Sequence, residues 1–168
     1  GAGVALDRGA AGLWGLERGP LPPGTVYGFR LDGGAEVLAD PRSRWQPDGP
    51  EGLSRVDDPG AFEWDDATFE PEPWPKAVVY ELHVGTFSGA GTFLGAVDHL
   101  DHLVDLGVTH VELMPIGAWV GRWGWGYDGV SWWAPHPGYG DPHDLRRLVG
   151  ECHRRGLAVV LDVVFNHL

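Results

Sequence analysis

Three short apolar runs rich in valine, at residues 77–84, 108–114 and 157–165, are separated by two stretches of helical period. That alternation constrains the fold more than any other feature. Phe93, Val97, Leu100, Leu103 and Val104 recur every three or four residues, and Gly107 stops that helix. Asp141-Pro142 reads as an N-cap followed by a first helical residue, ahead of a stripe of Leu145, Leu148, Val149 and Cys152 that Gly156 closes. The order βαβαβ predicts a parallel sheet with right-handed crossovers. The near-continuous apolarity of 77–84 suits a strand buried on both faces. Two α/β architectures fit: an open doubly wound sheet, or the first three strands of a (β/α)8 barrel.

Residues 1–75 follow a different grammar. They are rich in Gly and Pro and show no helical period. The segment 25–31 alternates, Asp32-Gly33-Gly34 is a hairpin signal, and 36–39 can return. The reading is part of a small β-sandwich whose first strand or strands are missing, followed by an ordered connector over 40–75 with Pro-driven turns. The domain division is therefore 1–75, a partial sandwich with its connector, and 76–168, the α/β unit.

Composition narrows the partners. With 24 acidic against 12 basic residues and a net charge of −12, a nucleic-acid backbone is repelled. No apolar stretch approaches the roughly 20 residues of a membrane span, so no membrane partner is expected. No signal-peptide pattern is visible, although the chain starts Gly1-Ala2-Gly3 without Met. Cys152 is the only cysteine, which excludes an intramolecular disulfide and favours the cytoplasm.

Several motifs carry candidate chemistry. Gly89-Ala90-Gly91-Thr92-Phe93-Leu94-Gly95 lies between strand and helix like a dinucleotide fingerprint, but its third glycine comes one position late, so the expectation is a turn. His99 and His102, with Asp98, Asp101 and Asp105, read as a solvated helix face rather than a metal site. Cys152-His153 reads as core followed by surface. No cofactor and no metal are expected. The loop 121–130 differs, because Trp123, Trp125 and Tyr127 alternate with glycines outside any periodic element. Such rings could stack on the flat C–H faces of a sugar, or plug the mouth of the fold with their own bulk. Asp162 and Asn166, four apart on an extended segment, can face one side, and His167 follows. A buried Asp needs a partner, so Asp162 is either a structural brace or part of an active site.

These motifs together resemble the α-amylase superfamily of glycoside hydrolases. Asp162-Val163-Val164-Phe165-Asn166-His167 is similar to its first signature region, and Val79-Tyr80-Glu81-Leu82-His83-Val84-Gly85-Thr86-Phe87 to its first barrel strand. Val111-Glu112-Leu113-Met114-Pro115-Ile116, Gly124-Trp125-Gly126-Tyr127-Asp128-Gly129, Ala134-Pro135-His136 and the connector motif from Asp40-Pro41-Arg42-Ser43-Arg44-Trp45 to Gly49 fit the trehalose-releasing branch of that superfamily. The resemblance implies an immunoglobulin-like, carbohydrate-binding-module-like sandwich before a (β/α)8 TIM barrel. It implies that Tyr127 stacks on the sugar before the cleaved bond and that His167 hydrogen-bonds the same sugar. Asp162 and Asn166 then shape the site, and Trp125 and Asp128 complete the substrate-binding set. In some relatives the Asn166 position ligates calcium, but not generally in the branch resembled here.

The implied chemistry is retaining hydrolysis by two carboxyl groups. The implied substrate is malto-oligosyl trehalose or another α-glucan, cut at the α-1,4 link next to the terminal trehalose. The superfamily's nucleophile, acid/base and stabilising carboxylates lie on later strands, so Asp162 is not the nucleophile. Residues 1–168 alone are expected to be inactive and, with an open sheet edge, prone to aggregate. An α-glucan branching or debranching enzyme, or a non-catalytic glucan-binding module, remains the alternative.

Overall fold

The computed structural model describes residues 3–166. Four small sheets follow one another along the chain. Near the N-terminus, β1 (Asp7–Arg8) pairs antiparallel with β2 (Trp14–Gly15), both exposed. Next, β3 (Val26–Tyr27) pairs antiparallel with β4 (Ser54–Arg55). Asp32 and Gly33 adopt φ of 52° and 72°, the pair of positive angles that a tight hairpin turn requires. Phe29 and Leu38 then exchange two backbone hydrogen bonds of 2.8 Å. The hairpin expected from Asp32-Gly33-Gly34 is present, shortened to one bridge. The pairing of 26–27 with 54–55 has no counterpart in the sequence pattern, because a two-residue strand carries no readable period.

The central sheet holds β5 (Val79–Leu82), β6 (His110–Leu113) and β9 (Ala158–Leu161) in that order, all parallel. The rungs run Val79–His110–Ala158, Tyr80–Val111–Val159, Glu81–Glu112–Val160 and Leu82–Leu113–Leu161. Between the first two strands lie α1 (Val84–Phe87), α2 (Phe93–Val97) and α3 (Leu100–Asp105). The expected single helix breaks at Asp98-His99, where His99 leaves helical angles. Gly107 follows with φ of 80°. Between β6 and β9 come β7 (Gly117–Ala118), β8 (Ser131–Pro135) and α4 (Pro142–Arg154). The start of α4 is as read: Asp141 and Asp144 form a reciprocal capping box and Pro142 opens the helix.

Burial explains the sheet's asymmetry. Leu82, Val111 and Leu113 face α2, α3 and α4 and are buried with Phe93, Ala96, Leu100, Leu103, Leu148 and Cys152. Each large apolar side chain removed from water there contributes about 1.5–3 kcal/mol. The expectation of a first strand buried on both faces does not hold: Val79 is 44% exposed and Glu81 is exposed as well. The helices pack on one face, and no described element covers the carboxylate-bearing rung of the other. Trp74 closes the lower end of that face by stacking on His110, centroids 5.0 Å apart.

The connector is strapped to α4. Arg146 holds Asp57 in a two-bond ion pair, with Nη1 donating to Oδ1 at 3.0 Å. His153 Nδ1 lies 2.6 Å from Asp66 Oδ2, and Arg154 reaches Asp65 at 2.9 Å. Phe69 stacks on His153 at 4.1 Å. Upstream, buried Gln46 accepts a 2.7 Å hydrogen bond from Ser131 Oγ of β8. The connector is thus tied to β8 and α4 at several points along its length.

Candidate functional site

The carboxyl ends of β5, β6 and β9 all point to one rim of the sheet, and the loop 117–135 folds over it. Asp162 follows β9 directly and its backbone N–H continues the ladder to Leu113 O at 3.0 Å. Its Oδ2 accepts the Tyr127 hydroxyl at 3.0 Å. The structure therefore joins two residues 35 positions apart that the sequence singled out separately. Asp162 is half-buried, and its partner is the phenol of the aromatic loop. Tyr127 stays 41% exposed, which leaves ring surface open to a ligand. Its hydroxyl pKa is raised, first by the hydrogen bond to Asp162, then by burial, then by the charges of Asp162, Glu81 and Glu112.

Glu81 and Glu112 are residues that the sequence reading passed over. They share one rung on the uncovered face. A signal was available: each is the lone charge in an apolar strand, at the same offset within Tyr80-Glu81-Leu82 and Val111-Glu112-Leu113. Strand pairing turns that shared offset into adjacency.

The loop owes its shape to close backbone contacts. Gly126 has φ of 89°, and a Cβ there would lie 2.0 Å from Pro115 O. Gly124 lies flat against Trp119, where a Cβ would come within 2.9 Å of the indole nitrogen. The Gly124 carbonyl accepts from His83 Nε2 at 2.9 Å, and the same nitrogen lies 2.8 Å from the Tyr139 hydroxyl. A carbonyl oxygen can only accept, so Nε2 carries the proton; Nδ1 then accepts from Thr86 Oγ1 at 3.0 Å. Burial pushes the Tyr139 hydroxyl up to about 12. His83 thus ties the end of the first strand to the loop that carries Tyr127.

The tryptophans of this region divide by burial. Trp119 is buried and stacks on His136 at 3.7 Å and 17°, so it plugs. His136 donates from Nε2 to Gly121 O at 2.9 Å and accepts at Nδ1 from the Gly138 N–H at 3.1 Å. Burial lowers its pKa, against a smaller upward pull from the Gly121 bond. Trp123 and Trp125 stand out into solvent, 80% and 70% exposed. Asp128 and Asn166 are exposed, and neither side chain makes a hydrogen bond among the described residues. They are not brought onto the Tyr127–Asp162 pair by any direct bond. His167 lies outside the described residues.

The remaining motifs fall into packing roles. Gly91 has φ of 63° and abuts Gly85 O, as a tight turn requires, and Gly95, within α2, abuts Ser88 Oγ. His99 and His102 are exposed, and Asp101 pairs with Arg155. Cys152 is buried, and burial pushes its thiol up to about 12, which leaves it inert. Asp141, His143 and Asp144 bring ligand-type atoms close together, but both carboxylates are engaged in capping α4.

Fold and site define an α/β protein whose polar groups gather at the carboxyl ends of parallel strands, beneath an aromatic loop. Residues 79–168 match the family model for the alpha amylase catalytic domain. A malto-oligosyltrehalose trehalohydrolase from Arthrobacter ramosus is 48% identical over 99% of this chain and 29% of its own length. A 1,4-alpha-glucan branching enzyme GlgB from Vibrio cholerae is 36% identical over 96% of this chain and 24% of its own. A crystal structure from Salmonella typhimurium that carries the alpha amylase name superposes with a TM-score of 0.89 at 42% identity, over 97% of this chain and 28% of that one. The chain belongs to the alpha-amylase family. It spans about a quarter of the length of these relatives.

Proposed function

We propose that this chain is the substrate-gripping portion of an enzyme that hydrolyses malto-oligosyl trehalose and releases trehalose. The Tyr127–Asp162 hydrogen bond carries the reading. By fixing the phenol from its hydroxyl end, Asp162 sets the tilt of a half-exposed ring, which suits stacking on a glucose unit. Trp125 and Asp128 of the loop and Asn166 after the last strand complete the proposed sugar-binding set, to which the resemblance adds His167, outside the described residues. Hydrolysis proceeds by retention, with one carboxylic acid protonating the leaving oxygen and a carboxylate attacking to form a glycosyl-enzyme that water resolves. Both carboxyl groups belong to strands beyond these three.

The division at 75/76 and the finer architecture belong to the same proposal. Helices on only one face of a three-stranded parallel sheet, with charged Glu81 and Glu112 on the other, support the first strands of a (β/α)8 barrel whose interior is the uncovered face. Short antiparallel pairs before residue 56 support a partial immunoglobulin-like sandwich.

The test is product analysis on the reading frame expressed to the length of its relatives. Incubation with malto-oligosyl trehalose is expected to yield free trehalose. New α-1,6 branches on a linear glucan would instead favour a branching enzyme, the second reading that the GlgB identity supports, and α-1,6 branches lost from a branched glucan a debranching enzyme. In the same protein Tyr127→Phe keeps the ring and removes the Asp162 bond. It is expected to weaken glucan affinity about fivefold, the equivalent of about 1 kcal/mol. Unchanged affinity would remove the Tyr127–Asp162 hydrogen bond from glucan binding.

A further inference from the structure

A cleft away from the Tyr127 loop is lined by arginine side chains. Leu21, Tyr27, Arg42, Arg44, Arg55 and Asp57 are among its lining residues, around a volume of about 340 Å³. None of them belongs to the Tyr127 loop. Three of the 12 basic residues of a chain with net charge −12 converge there. Among the described residues, no carboxylate forms an ion pair with any of the three.

The carboxylates closest in the bonding network are committed elsewhere. Asp57 is taken by Arg146. Asp40 accepts the Tyr27 hydroxyl and the Arg42 backbone N–H, both at 2.8 Å. Burial, then the Asp40 bond, push the Tyr27 hydroxyl up to about 12, so it adds no negative charge at neutral pH. Arg55 is held in place, with its guanidinium 5.4 Å above the Trp45 ring. Its Nε is buried without any hydrogen-bond partner. Three guanidinium groups that line one cleft, with no carboxylate paired to any of them among the described residues, suit an oxyanion. The planar fork of arginine matches phosphate oxygens in particular.

We propose that this cleft binds a phosphate monoester of sugar size, with Arg42, Arg44 and Arg55 on the phosphate and Tyr27 and Leu21 flanking the organic part. The cleft's volume of about 340 Å³ falls at the lower end of the roughly 300–1,000 Å³ of small-ligand sites, which is room for an ester rather than for the phosphate group alone. The proposal stands independently of the glucan reading, since it concerns other residues and another ligand.

Isothermal titration at low ionic strength of the protein expressed to the length of its relatives tests it, with glucose 6-phosphate, inorganic phosphate and glucose as probes. Glucose 6-phosphate is expected to saturate one site at least tenfold more tightly than inorganic phosphate, with no heat from glucose and a clear weakening as NaCl is raised. Arg42 and Arg44 are exposed, so the double variant Arg42→Gln/Arg44→Gln should melt as the parent does and lose at least tenfold in affinity. Arg55→Lys, which keeps the charge and removes the planar fork, should lose affinity as well. Arg154→Gln, on α4, should bind as the parent does. Absence of saturable binding by glucose 6-phosphate, equal affinity for inorganic phosphate, or full affinity in the Arg42→Gln/Arg44→Gln variant would overturn the proposal.

Discussion

At the scale of single residues, Gly126 is the position with the least freedom in the aromatic loop. Its φ of 89°, and the 2.0 Å between Pro115 O and the place a β-carbon would take, leave no room for alanine. Gly126→Ala is expected to cost about 2 kcal/mol or more through strain and displacement of the loop. A melting curve checks the loss, and a companion glucan titration checks the displacement of Tyr127. His136 supplies a pH dependence. Its folded pKa lies below the ordinary value of 6.5, so on acidification the unfolded chain takes up a proton before the native one. The stability contributed by the neutral ring is complete above about pH 6.5 and falls as pH drops from there through the lowered folded pKa. The slope is at most about 1.4 kcal/mol per pH unit. Denaturant titrations of the parent and of His136→Gln across about pH 4.5–7.5, a range that brackets the ordinary histidine value, should show a shallower acid limb in the variant. The sequence showed Tyr127 and Asp162 as candidates because each breaks the pattern around it. It did not show His83, His136 or Tyr139 as their supports, since their partners are backbone carbonyls and rings 15 to 56 residues away.

At the scale of elements, the strap along α4 contains ion pairs of unequal worth. Arg146 and Asp57 are nearly buried, with side-chain exposures of 15% and 9%, whereas Arg154 and Asp65 are 43% and 61% exposed. Arg146→Met strands a carboxylate away from water and is expected to cost about 2–4 kcal/mol. Arg154→Ala breaks a screened surface pair and should cost less than about 1 kcal/mol. Equal shifts in the two unfolding midpoints would contradict that ranking. The existence and order of the three parallel strands and of α4 were legible in the sequence, because period, cap and glycine stop all agreed. Lengths were not: apolar residues continue past the last ladder bond, so each strand reads longer than its pairing. The break at Asp98-His99 was hidden as well, since an apolar stripe is nearly unchanged when a helix restarts after one irregular turn.

At the scale of the whole molecule, one-sided packing is the dominant fact. Val79 stays exposed on the uncovered face, and at the last strand Leu161, on the rung of Leu82 and Leu113, stays exposed on the helix-bearing face, as do Val163 and Phe165 nearby, the last at 74%. An apolar surface of this kind binds hydrophobic dyes and self-associates. The 168-residue chain is expected to enhance the fluorescence of an anilinonaphthalene dye and to sediment with concentration-dependent mass at neutral pH. A dye-silent, concentration-independent monomer would contradict that expectation. The α/β class follows correctly from the sequence pattern, whereas burial of both faces of the first strand does not. An apolar run records that a strand is to be covered but does not say by what, and the covering partner of one face is not among these helices.

The strap also has a consequence in time. Asp57 and Arg146 stand 89 residues apart, as do Asp65 and Arg154. At synthesis rates of about 5–20 residues per second, the connector waits on the order of 4–18 seconds for its helix to be made. During that interval its aspartates have no cation of α4 to meet, and the first strand has emerged without the helix that will hold its upstream segment in place. The segment that reads as a passive linker is therefore among the last parts of this chain to find its place, and a pause in translation before residue 142 would prolong its exposure.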